Sequence, residues 1–209
     1  MQHAWEFIVK GGIIMIPLFL CSVVALAIFI EKTIALRRKR VIVPEVVSVL
    51  ESIRDAGDIA LAVAICEKHR GPFANIIRIS LENRELPREE IKETLSDQGR
   101  QEIHHLEKGL TMMETIAGIA PLLGLLGTVL GILKVFKVIS VLGVGQASAL
   151  AGGISEALIT TIAGLFIGIP ALVAYNYFGH KAESLVLEIE KYSNRLLTKI
   201  SVWRPPPGA

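Results

Sequence analysis

One acidic side chain stands out in the apolar part of this sequence. Glu156 lies in Ser155-Glu156-Ala157-Leu158-Ile159-Thr160-Thr161, several residues inside an apolar stretch at 150–178. An ionised carboxylate at bilayer depth costs roughly 2.5 to 3.5 kcal/mol even on insertion scales, so it should face protein or a watery cavity and marks a functional site by default. A structural ion pair is the alternative. If the chain turns near Gly143, Lys134 on the preceding apolar stretch lies at about the depth of Glu156, and the two charges can simply lock helices together.

Hydroxyls gather at the same depth. An antiparallel register puts Thr128 roughly level with Glu156 and Thr160, so that a pore lined by both helices would follow. On a helix, Gly153, Glu156, Thr160, Ala163 and Ile167 share a face, whereas Thr161 is turned from Glu156 by more than a quarter-turn. Thr160 and Thr161 can equally donate to a backbone carbonyl, a common fate of threonine in membranes. A carboxyl beside threonines suits a proton or a sodium ion alike.

Other chemistry is not encoded. The sequence has no GxxxxGK[ST] phosphate loop, no GxSxG elbow and no HExxH, so neither nucleotide hydrolysis nor zinc proteolysis is expected, and no catalytic residue is assigned. His104 and His105 are adjacent and point to different helix faces, which leaves no metal site. Cys21 falls in an apolar run and Cys66 in a charged one, so they are expected to stay unpaired and inert. No cofactor is expected beyond a coupling ion.

The elements that must position these residues are membrane helices. Of 209 residues 52% are hydrophobic and only 6% aromatic, with a mean hydropathy of +0.53, too oily for an ordinary soluble domain of this length. The net charge of +2 is small and its cations are not interleaved with aromatics, which excludes a nucleic-acid partner. The expected fold is an all-α membrane protein with three transmembrane helices and long helices extending into a cytoplasmic helical region. Residues 1–10 form a short extracytoplasmic N-terminus, and 11–30 the first span, uncharged between Lys10 and Glu31 and long enough for a ~30 Å hydrocarbon core. Arg37, Arg38, Lys39 and Arg40 follow that span, marking a retained anchor and placing its end in the cytoplasm. A cytoplasmic helical region is expected at 31–112, a second span at 113–136, a short outer turn at 137–149 and a third span at 150–178. A cytoplasmic C-terminal helix and a disordered Pro-rich tail complete the chain at 179–209.

Within the second span Ala117, Pro121, Gly124, Thr128 and Gly131 trace a face of small or kinking residues, and Gly127 with Gly131 forms a GxxxG pair for close helix packing. Pro121 and Pro170 are tolerated because neighbouring groups satisfy the freed backbone. Apolar positions Leu106, Leu110, Met113 and Ala117 predict one helix running from about Ile103 straight into this span. Pro87 followed by Glu89 and Glu90 predicts a helix start. Leu185, Ile189, Leu196 and Ile200 predict an amphipathic C-terminal helix.

Taken together, the run Ala120-Pro121-Leu122-Leu123-Gly124-Leu125-Leu126-Gly127-Thr128-Val129-Leu130-Gly131, then Glu156-Ala157-Leu158-Ile159-Thr160-Thr161-Ile162-Ala163-Gly164-Leu165-Phe166, Ile169-Pro170-Ala171 and Ala174-Tyr175-Asn176, resembles the MotA/TolQ/ExbB signature. The match is dense at 117–178, the Glu31-Lys32 pair also resembles the family, and three spans in a short chain set it with the ExbB/TolQ branch and apart from the four-span flagellar stators. The resemblance implies a proton channel built as a homopentamer around a two-chain, single-span ExbD/TolR-type partner whose membrane aspartate carries protons. It further implies a TonB- or TolA-like protein downstream and a location in the bacterial inner membrane. By the same resemblance Glu156 matches the family's intramembrane glutamate, Thr128 its second-span threonine and Thr161 the threonine five residues after the glutamate. Thr160 departs from the pattern, since many relatives carry a small apolar residue there. The family match therefore favours Thr161 at the pore, while the helical face favours Thr160.

Overall fold

A computed structural model describes residues 11–53, 56–69, 71–143 and 147–203. The N-terminal ten residues, residues 144–146 of the expected outer turn and the prolines at 205–207 lie outside the described residues. Every regular element among the described residues is helical: α1 Met15–Ala35, α2 Arg38–Val41, α3 Pro44–Ser52, a 3-10 turn Ala56–Asp58, α4 Ile59–Lys68, α5 Pro72–Glu82, α6 Arg88–Glu107, α7 Leu110–Leu142 and α8 Ala147–Trp203. Punctuation in the sequence explains many of these limits. Pro44 and Pro72 open α3 and α5, and Pro87 directly precedes α6, whose first turn carries Glu89 and Glu90 against its positive end.

Three of these helices, α1, α7 and α8, are long and apolar enough to cross a membrane. At 57 residues α8 runs for about 85 Å, far beyond a ~30 Å hydrocarbon core. The amphipathic C-terminal segment is thus the continuation of the third apolar helix, with no break after Phe178. The expected continuity at 103–117 is not found. Helix α6 ends at Glu107, and Gly109 takes a left-handed conformation (φ 90°) before α7 begins. The apolar spacing across this point is compatible with a single helix, but a glycine without a Cβ adopts the left-handed turn without steric cost, and that breaks the run.

The chain divides into two compact units, one comprising the described residues up to Glu31 together with Gly109–Tyr177, the other Lys32–Lys108 with the described residues from Phe178 onward. In the first unit Met15, Leu18 and Ala120 form a small core, with Ile14, Leu123, Ala163 and Ile167 packed against it. Most other apolar side chains point outward. Only 17% of the most apolar window of α1, and 33% of those of α7 and α8, is buried. The remaining apolar surface needs lipid or further chains to cover it.

The second unit has a core of its own. Val46, Leu50, Ile59, Phe73, Ile77, Leu81, Ile91 and Leu95 are buried, as are Phe178, Ala182, Leu185, Ile189 and Leu196 along α8. The side chain of Ile200 lies outside the description. Phe73 meets Tyr192 edge to face, with ring centroids 5.3 Å apart. Two lysines close helix ends: Lys199 Nζ donates to the Leu50 carbonyl (2.9 Å) near the end of α3, and the buried Lys32 Nζ to the Leu106 carbonyl (3.1 Å) near the end of α6. Both satisfy carbonyls that have no partner within their helix.

Candidate ion-path site

The α7–α8 contact in the first unit positions the predicted residues. It is a succession of small residues in antiparallel register. A Cβ built at Gly124 would lie 2.9 Å from the Thr160 carbonyl oxygen, and one at Gly131 2.8 Å from the Ala157 Cβ. A Cβ at Gly127 would collide with the Thr160 side chain. These backbones therefore approach as closely as glycine permits, the packing expected of small-residue faces in lipid. Pro121 belongs to the same contact, with its Cγ and Cδ 2.7 Å from where a Cβ at Gly168 would sit, whereas Pro170 is exposed within α8.

Three glycines and an alanine of α8 answer this face, of which only Gly153 was placed on a helix face from the sequence. Gly153, Ala157, Gly164 and Gly168 recur at steps of four or seven and meet Val135, Gly131, Gly124 and Pro121 respectively. The four-residue period was present in the sequence. Gly12 was also missed: at φ 68° just before α1, it lies against the Glu156 carboxylate, so that any Cβ there would collide with Oε1.

Glu156 and Lys134 come together. Lys134 Nζ donates to Glu156 Oε1 at 2.5 Å, a charge-assisted hydrogen bond, with the glutamate side chain 20% exposed and the lysine 59%. Beside them lies a cavity of about 320 Å3 lined by Gly11, Ile14, Gly127, Lys134, Lys137 and Glu156, among others. Lys137, like Gly12, escaped the sequence reading as part of this site.

Each threonine hydroxyl finds a backbone acceptor. Thr128 Oγ1 donates to the Leu125 carbonyl at 2.6 Å within α7. Thr160, 1% exposed, donates to the Ala157 carbonyl at 2.8 Å. Thr161 reaches across to α7, donating to the Gly124 carbonyl at 3.2 Å. Donation leaves each oxygen's lone pairs as acceptors, but at Thr160 they are sealed inside the contact. Glu156 and Thr160 do share a face as predicted, and within the single chain that face is turned towards α7. Among the described residues no group of three or more His, Cys, Asp or Glu side chains could hold a metal ion.

Residues 68–191 match the model of the MotA/TolQ/ExbB proton channel family. The chain is 35% identical over 91 residues to a biopolymer transport protein ExbB of Xanthomonas campestris, covering 44% of this chain and 36% of that protein. It is 34% identical over 176 residues to an ExbB-like 1 biopolymer transport protein of Synechocystis, covering 81% and 68%. With the Tol-Pal system protein TolQ of Pseudomonas aeruginosa it shares 40% identity over 81 residues, or 39% and 35% of the two chains. The chain spans little more than a third of the Xanthomonas protein. It belongs to the MotA/TolQ/ExbB proton channel family, on the ExbB/TolQ branch. It is accordingly a membrane protein of a transport and channel family.

Proposed function

We propose that the chain is the proton-channel subunit of an inner-membrane motor that turns the proton motive force into mechanical work on an ExbD/TolR-type partner and so energises TonB-dependent outer-membrane transport. The observation that carries this reading is the Glu156 carboxylate, largely covered inside an apolar helix, at the edge of a cavity and one helical turn from Thr160. Such a group is costly at membrane depth and is retained where ions move. In this reading five copies surround a partner dimer, the N-terminus is extracytoplasmic and the C-terminus cytoplasmic, and the coupling ion is a proton. Protons reaching the partner's membrane aspartate near Glu156, Thr128 and Thr161 change how it sits against successive subunits, and a ring and axle of unlike symmetry step past each other. Native mass spectrometry of the complex extracted from its own membrane tests this. Five copies with two of a single-span partner bearing a membrane aspartate are expected; a dimer or tetramer without such a partner, also seen on crosslinking in intact membranes, overturns it. The partner's outer domain distinguishes TonB-type uptake from TolQ-like envelope maintenance or gliding.

The Lys134–Glu156 hydrogen bond favours a second reading, a non-conducting scaffold in which the pair only locks α7 to α8. Charge reversal separates the two. If the pair is structural, E156K and K134E each lose function and the double variant regains most of it. If Glu156 serves the ion path, the double variant stays inactive, because a lysine then stands where the carboxylate is needed.

A further inference from the structure

We propose that the basic segment following α1 is a docking surface for the headgroups of anionic phospholipids, built from Arg37, Lys39 and Arg40. The segment comes directly after an apolar helix long enough to cross a membrane, so its cations fall where the hydrocarbon ends and headgroups begin. Of the four consecutive basic residues one is already used. Arg38 lies fork to fork with Glu188, its Nε 2.9 Å from Oε2 and its Nη2 on Oε1. The other three side chains are exposed, and among the described residues none of them makes an ion pair.

Their backbone is held in place. Leu36 before them and Val41 and Ile42 after them are all buried (0%, 2% and 3% exposed), and Arg38 is tied to α8 between these anchors. Three cations are thereby presented from α2 and the extended residue that precedes it, a fixed backbone that lowers the ordering cost of binding. Charge complementarity names the occupant. A segment of this kind beside a span attracts phosphatidylglycerol-type headgroups, which carry net negative charge, over zwitterionic phosphatidylcholine. Glu188, the acid that meets this segment in an ion pair, is neutralised by Arg38 and does not oppose this.

The test is electron paramagnetic resonance of the full chain in phosphatidylcholine vesicles doped with spin-labelled phosphatidylglycerol or spin-labelled phosphatidylcholine. The motionally restricted fraction should favour phosphatidylglycerol by up to about five-fold at low salt, a preference that fades near 1 M salt, where screening shortens to about 3 Å. The triple variant R37Q/K39Q/R40Q should fall to near parity, and R37K/R40K, which keeps the charge, should retain the preference. Retained preference in the triple variant, or its loss in K134Q/K137Q instead, overturns the proposal by placing the attraction elsewhere.

Discussion

Glu156, Lys134 and the three threonines have in common that a polar group at an apolar depth must find a partner nearby. The carboxylate finds an ammonium 2.5 Å away, and each hydroxyl finds a backbone carbonyl. The identities of these groups were legible in the sequence, because a charge or hydroxyl in an apolar run is conspicuous. Their partners were legible only in part: the lysine by register, but not the turn at Gly12 or Lys137. Cys66 shows the same physics outside the membrane helices. Burial pushes its thiol up to about 11, against about 8.5 for a free cysteine. Because the folded value is the higher one, the folded state gains from the protonated thiol below about pH 8.5 and loses that gain as pH rises towards 11. In a Cys21→Ser background at pH 8.5, iodoacetamide should modify Cys66 about a hundred-fold more slowly in the folded protein than in the unfolded one, since alkylation needs the thiolate. Equal rates would show that the thiol is not shielded.

At the scale of elements, α7 and α8 are joined by a face that has almost no side chains. Two glycines within α7 make the comparison internal to one helix. A Cβ at Gly118 meets nothing within 4 Å, whereas one at Gly127 runs into Thr160. Gly118→Ala should leave the thermal midpoint in detergent unchanged or raise it, since alanine is the better helix former by up to about 1 kcal/mol. Gly127→Ala should lower it, by the equivalent of roughly 1 to 3 kcal/mol for an overpacked contact. Equal effects of the two substitutions would remove the α7–α8 contact from the list of forces holding this unit. The face on α7 was predictable from its period of small residues. Its counterpart on α8 followed the same rule, but beside Glu156 only Gly153 of it was placed on a face.

At the scale of the whole molecule, two chain passages that looked alike in the sequence differ. Apolar and amphipathic spacing continues through both 103–117 and 178–189, yet α6 stops before Gly109 while α8 runs on from Ala147 to Trp203. The first amides of α7 have no carbonyl one turn earlier to bond with, whereas those at 178–184 lie in the middle of a helix. Hydrogen–deuterium exchange in micelles should therefore find amides 109–112 exchanging on the order of a hundred-fold faster than 178–184. Fast exchange at 178–184 would mean that α8 is two helices.

Composition and period were enough to determine that this chain is helical, that three of its helices suit a membrane and that Glu156 is its exceptional residue, because solvent preference and helical repeat act locally along the chain. The signature at 120–131 and 156–176 was likewise readable without coordinates. Only the tertiary structure decided which hydroxyl turns where, that Thr160 is sealed against Gly127 while Thr161 crosses to the Gly124 carbonyl, and that Arg38 is bound to Glu188 and its basic neighbours are not. Those outcomes depend on the rotation of one helix against another and on contacts between residues as many as 150 positions apart, distances over which a linear pattern carries no constraint.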